Sequence, residues 1–161
     1  QFLEYEGNPI FVHYHALNNG HTEDSTAYLE KEIPYLKKVS CEADAKVKMF
    51  DNLTIDYKTI SRILKQDITN KTKFKKMTIN QRHYIQVGRT LYDAKTFANI
   101  LKLHSPIFKI DTTSEGVVIK GKGLGTPLGM SQHSANEMAK QKKTYQEILN
   151  YFYPGTNIRH I

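Results

Sequence analysis

Three histidines stand close together near the N-terminal end: His13 and His15 two positions apart, and His21 six beyond His15. In an extended segment, residues two apart point to one face, so two imidazoles would be presented together. With His21 from the following loop they form a set of neutral nitrogen donors that could hold zinc, Glu23 and Asp24 being the nearest carboxylate supplements. A plainer reading fits the same residues, with His13 and His15 half-buried in a strand and His21 solvated. Glu4, Glu6, Glu23, Asp24, Glu30 and Glu32 crowd this region, but no spacing singles out a pair for acid–base work. Cys41 is the lone cysteine, which excludes an internal disulfide and a cysteine metal cluster. Beside a distant histidine it would be a thiol nucleophile; otherwise it is simply packed. No glycine-flanked serine marks a nucleophile elbow.

The second chemical feature is "GKGLGTPLGMSQ" at 121–132, with glycine at 121, 123, 125 and 129. A phosphate-cradling loop needs Lys followed by Ser or Thr after the last glycine, and these are missing. The dinucleotide fingerprint fails too, because no third glycine follows Gly123 and Gly125 at the required spacing. What remains is a strand-to-helix turn that brings "MSQ" and a helix N-terminus to a rim where a polar ligand could meet N–H groups. Glycines needed only for tight backbone packing would read the same way.

The elements that must position these residues follow from pattern. "PIFVHYHA" at 9–16 alternates bulky side chains and predicts a strand; "LNNGHTED" after it predicts a loop. "KVKMFDNL" at 46–53 predicts a second strand with Val47 and Met49 on one face. Asp56 caps a helix carrying Ile60, Ile63 and Leu64. Residues 65–76 predict an exposed loop, and "MTINQRHYIQV" at 77–87 a strand. A helix follows with Asp93 as cap and Phe97, Ile100 and Leu101 inward. Strands at 106–110 and 116–121 flank the turn "DTTSE". A helix spans 131–141, and Thr144 with Glu147 forms a capping box for another, whose apolar face is Ile148, Leu149 and Phe152 and which "YPG" ends. Without regular β–α–β alternation, the expected class is α+β, a mixed sheet with helices.

The chain has 161 residues, 39% of them hydrophobic, enough to bury a core without disulfides as a single domain over 1–161. A formal charge of +7 suits an anionic partner: nucleic acid, anionic wall polymer or a membrane surface. The basic stretch 58–76 lacks interleaved aromatics beyond Tyr57 and Phe74, so it reads as a solvated face, and nucleic acid rests on charge alone. No apolar run has membrane-span length and no signal-peptide pattern opens the chain. Gln1 begins inside an amphipathic stretch, so the expectation is a piece of a longer protein.

The run "GKGLGTPLGMSQHSANEMAKQKKTYQEILNYFYPGTNI" resembles the closing signature of the SpoIID/LytB family of peptidoglycan-remodelling proteins. The matching positions are Gly121, Gly123, Gly125, Gly129, Met130, Ser131, Gln132, Ala135, Met138 and Ala139, then Tyr145, Glu147, Ile148, Leu149, Tyr153, Pro154 and Gly155. Upstream, "YEGNPIFVHYHALNNGHTEDS", "EIPYLKKVSCEAD" and "FANILKLHSPIFKI" resemble further family segments, so the likeness covers essentially the whole chain. Thr126-Pro127 departs from the family's His-Gly, and Leu124 from its aromatic. A proline offers no N–H there, so the turn cannot present the usual donors.

The resemblance implies a lytic transglycosylase of sporulation (engulfment) acting on denuded glycan strands. One carboxyl group would protonate the glycosidic oxygen and then deprotonate the sugar's C6 hydroxyl. It places the family's catalytic Glu in an N-terminal part of the domain that precedes Gln1, so no catalytic residue is assigned here. The alternative is a non-catalytic peptidoglycan binder that stimulates a cell-wall amidase. Substrate-binding residues implied are His15, Asn19, His21, Thr22, Glu23, Ser131 and Gln132. The chemistry requires no cofactor, although zinc on His15 and His21 stays open. Implied partners are glycan strands, an amidase and a separate N-terminal fragment of the same protein, with no nucleic acid. The implied location is extracytoplasmic, at the cell wall or on a membrane anchor outside these residues.

Overall fold

A computed structural model describes residues 1–48 and 51–160. In chain order it contains β1 (Phe2–Tyr5), β2 (Asn8–Pro9), β3 (Tyr14–His15), a 3-10 turn (Ser25–Ala27), α1 (Glu42–Ala45), β4 (Asp51–Ile55), α2 (Tyr57–Leu64), β5 (Phe74–Ile79), β6 (Arg82–Val87) and β7 (Thr90–Asp93). Then follow α3 (Ala94–Ile100), β8 (Phe108–Thr112), β9 (Val117–Gly121), β10 (Met130–Ser131), α4 (Gln132–Lys140), α5 (Tyr145–Phe152) and β11 (Asn157–Arg159). The α+β class expected from the sequence holds. The strands form four small sheets among the described residues.

Contacts divide the chain into two compact units, Gln1–Val47 with Gly125–Ile161, and Lys48–Leu124. In the first, β1 pairs antiparallel with β11 and β2, while β3 pairs parallel with β10. Its core gathers Leu3, Leu36, Cys41, Ile148, Phe152 and Tyr153. The Thr144–Glu147 capping box is formed at the start of α5, and Ile148 and Phe152 are buried as their spacing predicts. In the second unit, β4-β9-β8 and β5-β6-β7 are antiparallel sheets, and Phe97 stacks on Phe108 with ring centroids 5.7 Å apart. Asp56 and Asp93 cap α2 and α3, each accepting an N–H three residues on.

Several expectations need correction. The strand expected over 9–16 shrinks to β3, because Phe11, Val12 and Tyr14 stay exposed and only Tyr14–His15 finds a partner in β10. The strand expected at 77–87 is a hairpin, in which Asn80 and Gln81 both turn with positive φ (47° and 69°). Phe97 and Leu101 are buried as expected, but Ile100 is exposed, and Leu103 is buried as well. In 46–53, residue 46 closes α1 and pairing starts at Asp51; the placement of Met49 lies outside the described residues. Among the described residues no helix is long and apolar enough to cross a membrane.

Candidate functional site

The glycine turn approaches the chain's own histidine strand. At Gly125 (φ +94°) a Cβ would sit 2.9 Å from the Cβ of His15. At Gly129 (φ +64°) it would meet the His13 carbonyl oxygen at 2.0 Å, a contact no side chain survives. This closeness lets β10 run beside β3, with the Met130 N–H donating to the His13 carbonyl (3.1 Å). The buried Tyr153 hydroxyl donates to the same carbonyl at 2.6 Å.

Pro127 fits this turn. The Leu128 N–H donates back to the Thr126 carbonyl (2.7 Å), a three-residue turn whose central φ a proline ring pre-sets. Pro127 gives up a donor but supplies an acceptor, since its carbonyl takes the Glu23 N–H at 2.8 Å. The histidine loop is thereby tied to the glycine turn through the residue that departs from the family pattern.

Below the turn lies a buried polar network. His15 is 3% exposed, its Nδ1 3.2 Å from the Leu128 carbonyl and its Nε2 3.0 Å from the Asn18 amide nitrogen. A carbonyl only accepts, so the proton sits on Nδ1 and Nε2 accepts from Asn18. Burial lowers the His15 pKa, against the opposing pull of the Leu128 carbonyl and Asp44, and keeps the ring neutral. Asn18 in turn donates its backbone N–H to Asp44 Oδ2 (2.8 Å) and accepts the Gly20 N–H (2.8 Å). Asp44, fully buried on α1, also accepts from the hydroxyls of Ser131 (2.7 Å) and Ser134 (2.6 Å). Ser131 caps α4 by accepting the Ser134 N–H. One sealed carboxylate thus joins the histidine loop, α1 and the start of α4.

The sequence-derived site residues divide by accessibility. Thr22 is buried, its hydroxyl donating to the Lys37 carbonyl and accepting the Val39 N–H, both at 2.8 Å. Thr22, Ser131 and His15, expected to touch substrate, instead spend their polar atoms inside the protein and shape the rim from beneath. Asn19, His21 and Glu23 are half-buried and Gln132 is exposed. His21 Nδ1 lies 2.9 Å from the Thr22 carbonyl and 3.2 Å from Glu23 Oε1. Asn19 Oδ1 is buried with no hydrogen-bond donor among the described residues, although the residue as a whole is only half-buried. Asn18, Asp44 and Ser134 escaped the sequence reading. Serines at 131 and 134, three apart at a helix start, were a legible signal; nothing in the sequence marks Asp44.

As arranged, both His15 nitrogens are occupied, and no group of three His, Cys, Asp or Glu side chains gathers in ligand geometry among the described residues. A cation on His15 would need the Asn18 contact to open. Burial pushes the Cys41 thiol up, so it is a packed side chain rather than a nucleophile. Asp44, shut from solvent and accepting three hydrogen bonds, cannot reach a substrate proton.

The fold and site thus define an α+β protein with a buried His–Asn–Asp–Ser frame flanked in sequence by half-buried Asn19, His21 and Glu23 and by exposed Gln132. No family model matches the chain. It is 30% identical to the stage II sporulation protein D of Bacillus subtilis, over 98% of this chain and 48% of that protein. The corresponding figures for the Bacillus amyloliquefaciens protein of that name are 29%, 98% and 47%. It is also 38% identical, over 38% of this chain and 8% of that protein, to the amidase enhancer of Bacillus subtilis. These likenesses support the SpoIID/LytB resemblance, and the chain spans about half the length of the curated relatives it matches along its whole length.

Proposed function

We propose that this protein serves cell-wall remodelling in sporulation, outside the cytoplasmic membrane, by holding a peptidoglycan glycan strand along the rim of Asn19, His21, Glu23 and Gln132. The observation that carries the reading is the unpartnered Asn19 Oδ1, buried at rest, to which a sugar hydroxyl or N-acetyl N–H would donate once the half-buried Asn19 side chain turns outward. Phe11 and Tyr14, 75% and 63% exposed on the segment leading into His15, offer faces on which sugar rings stack. The full-length stage II sporulation protein D relatives, about twice as long, suggest the setting.

In the complete protein the reaction is lytic transglycosylation. A carboxylic acid protonates the glycosidic oxygen, and its conjugate base takes the C6 hydroxyl proton as that oxygen closes on C1. Within the rim, Glu23 is bound to His21, and Asp44 is sealed. The family resemblance puts the proton-transfer carboxyl in a part of the domain outside these residues, and in this reading the chain binds and orients the strand. The similarity to an amidase enhancer favours a second reading, stimulation of a cell-wall amidase without chain cleavage.

The complete protein incubated with denuded glycan strands separates the readings. Release of anhydro-sugar ends, lowered about tenfold or more by Asn19→Ala with Gln132→Ala, is the expected result. Strand binding without anhydro ends, with faster amidase turnover, would establish the second reading. Absence of strand binding sinks both.

A further inference from the structure

The charge of this protein is confined to one unit. Lys48–Leu124 holds 15 Lys and Arg against 6 Asp and Glu, a net +9, whereas the other unit holds 8 against 10, a net −2. Within the basic unit, a groove of about 600 Å3 opens beside β5, lined by Lys71, Lys73 and Lys75 with Asn70, Thr72 and Gln86. A single carboxylate, Asp111, also lines it. Arg89 lines the adjoining hollow. Lys75 lies on β5, Lys73 just before it and Lys71 in the turn that leads into the strand, and all three are exposed. None of them has an ion-pair partner among the described residues.

The strand pairing supports the same reading. Lys109 and Lys120 stand directly opposite each other across β8–β9, and both are exposed. Like charges so placed destabilise an antiparallel pair. The Lys76 ammonium lies over the Phe108 ring, 5.2 Å from its centroid, close to Lys109. An anion bound from outside would relieve the facing Lys109–Lys120 pair.

The polymer class follows from what accompanies the charge. One aromatic, the half-buried Phe74, lines the groove, and the exposed aromatic side chains among the described residues, Phe2, Phe11, Tyr14, Tyr145 and Tyr151, belong to the other unit, so successive bases would find no row of platforms to stack on. Lysines supply point charges, and Asn70, Thr72 and Gln86 supply partners for hydroxyl groups.

We propose that the lysine groove of residues 48–124 binds a linear polyol-phosphate chain, a base-free phosphodiester polymer of the bacterial surface. This is a second site, and it does not rest on the glycan-rim reading. Binding of fluorescent poly(glycerol phosphate) to the protein is measured by anisotropy between 50 and 200 mM salt, with single-stranded poly(dT) of equal length as comparison. Lys71→Gln/Lys73→Gln/Lys75→Gln is expected to weaken binding about tenfold at the lower salt and to flatten the log–log salt dependence by about 2. Lys109→Gln/Lys120→Gln is expected to cost about threefold. Lys140→Gln/Lys142→Gln/Lys143→Gln, an equal loss of charge in the other unit, should change affinity less than about twofold. These are surface exchanges, and unchanged melting temperatures confirm that each variant is folded. Equal losses in the two triple variants would reduce the effect to net charge and overturn the site. Binding of poly(dT) as tight, with the same dependence on the variants, would overturn the polymer class in favour of nucleic acid. No binding at 50 mM salt overturns the proposal entirely.

Discussion

The two units solve different problems with similar material. The unit of residues 1–47 and 125–161 is slightly acidic and commits its polar residues inward: Asp44, His15, Asn18, Ser131 and Ser134 form a sealed network. The unit of residues 48–124 is strongly basic, and its lysines face water. Its polar groups act largely as helix caps and turns, apart from buried Asp51, which holds the His104 N–H (3.0 Å) and ring (2.7 Å), while its interior is apolar around Phe97, Phe108, Val87 and Ile119. In the first unit a polar group lost is a frame lost. In the second, charges can be exchanged with little effect on the fold, which leaves them available for binding.

The sharpest contrast is between two glycines with left-handed backbone. Gly129 (φ +64°) has the His13 carbonyl 2.0 Å from where a Cβ would go; Gly88 (φ +59°), in the basic unit, has only the Thr72 methyl at 4.0 Å. Gly88→Ala should therefore cost about 1–2 kcal/mol of backbone strain alone. Gly129→Ala must also push β3 away from β10, and a loss of about 4 kcal/mol or more is expected from denaturant unfolding. Similar costs for the two would mean that the β3–β10 approach is soft and that the glycine turn does not fix the rim.

The same contrast explains what could be read in advance. In the basic unit the helix caps are local in sequence, so Asp56 and Asp93 and the helices behind them were legible three residues at a time, whereas the Asp51–His104 pairing across 53 residues was not. The hairpin was missed there because its turn, Asn80–Gln81, lacks the usual glycine. In the acidic unit the capping box at Thr144 was equally legible, but the frame was not. Asp44 meets Ser131 and Ser134 across 87 and 90 residues, and no short-range pattern encodes such a pairing. His15 was found by type, with a ligand role and a half-buried strand position both left open. It is buried because the Asn18 amide and the Leu128 carbonyl, neither predictable from spacing, saturate its ring. Pro127 read as a defect by its missing donor, whereas its carbonyl is what holds Glu23.

His15 also makes the acidic unit the pH-sensitive one. Burial lowers its pKa in the folded state, so the unfolded chain binds the proton more readily. The neutral-ring contribution is therefore complete above the ordinary histidine value of about 6.5 and is lost as pH falls below it. Melting temperatures at pH 7.5 and 5.5 test this against His15→Gln, which loses part of the network and should be less stable by about 1–2 kcal/mol at pH 7.5. The gap between the two proteins should narrow at pH 5.5, where the wild type has to keep a ring neutral that the solvent would protonate. A gap of constant size would show that His15 titrates alike in both states and that the frame is not sealed.

The smallest effects separate the two caps of the basic unit. Asp56 is exposed and holds the Thr59 N–H (2.8 Å) and hydroxyl (2.7 Å), which lower its pKa. Asp93 is partly buried. Burial raises its pKa, but the Thr96 N–H and Arg82, whose Nε is 2.8 Å away, more than reverse that. An asparagine keeps the capping oxygen and removes the charge, so Asp56→Asn should be nearly silent in chemical denaturation. Asp93→Asn leaves Arg82 facing a neutral amide in a partly buried place and should cost up to about 1 kcal/mol, the upper end for an ion pair that water still reaches. If the two exchanges cost the same, Arg82 contributes nothing at Asp93, and the caps of this unit act through hydrogen bonds alone.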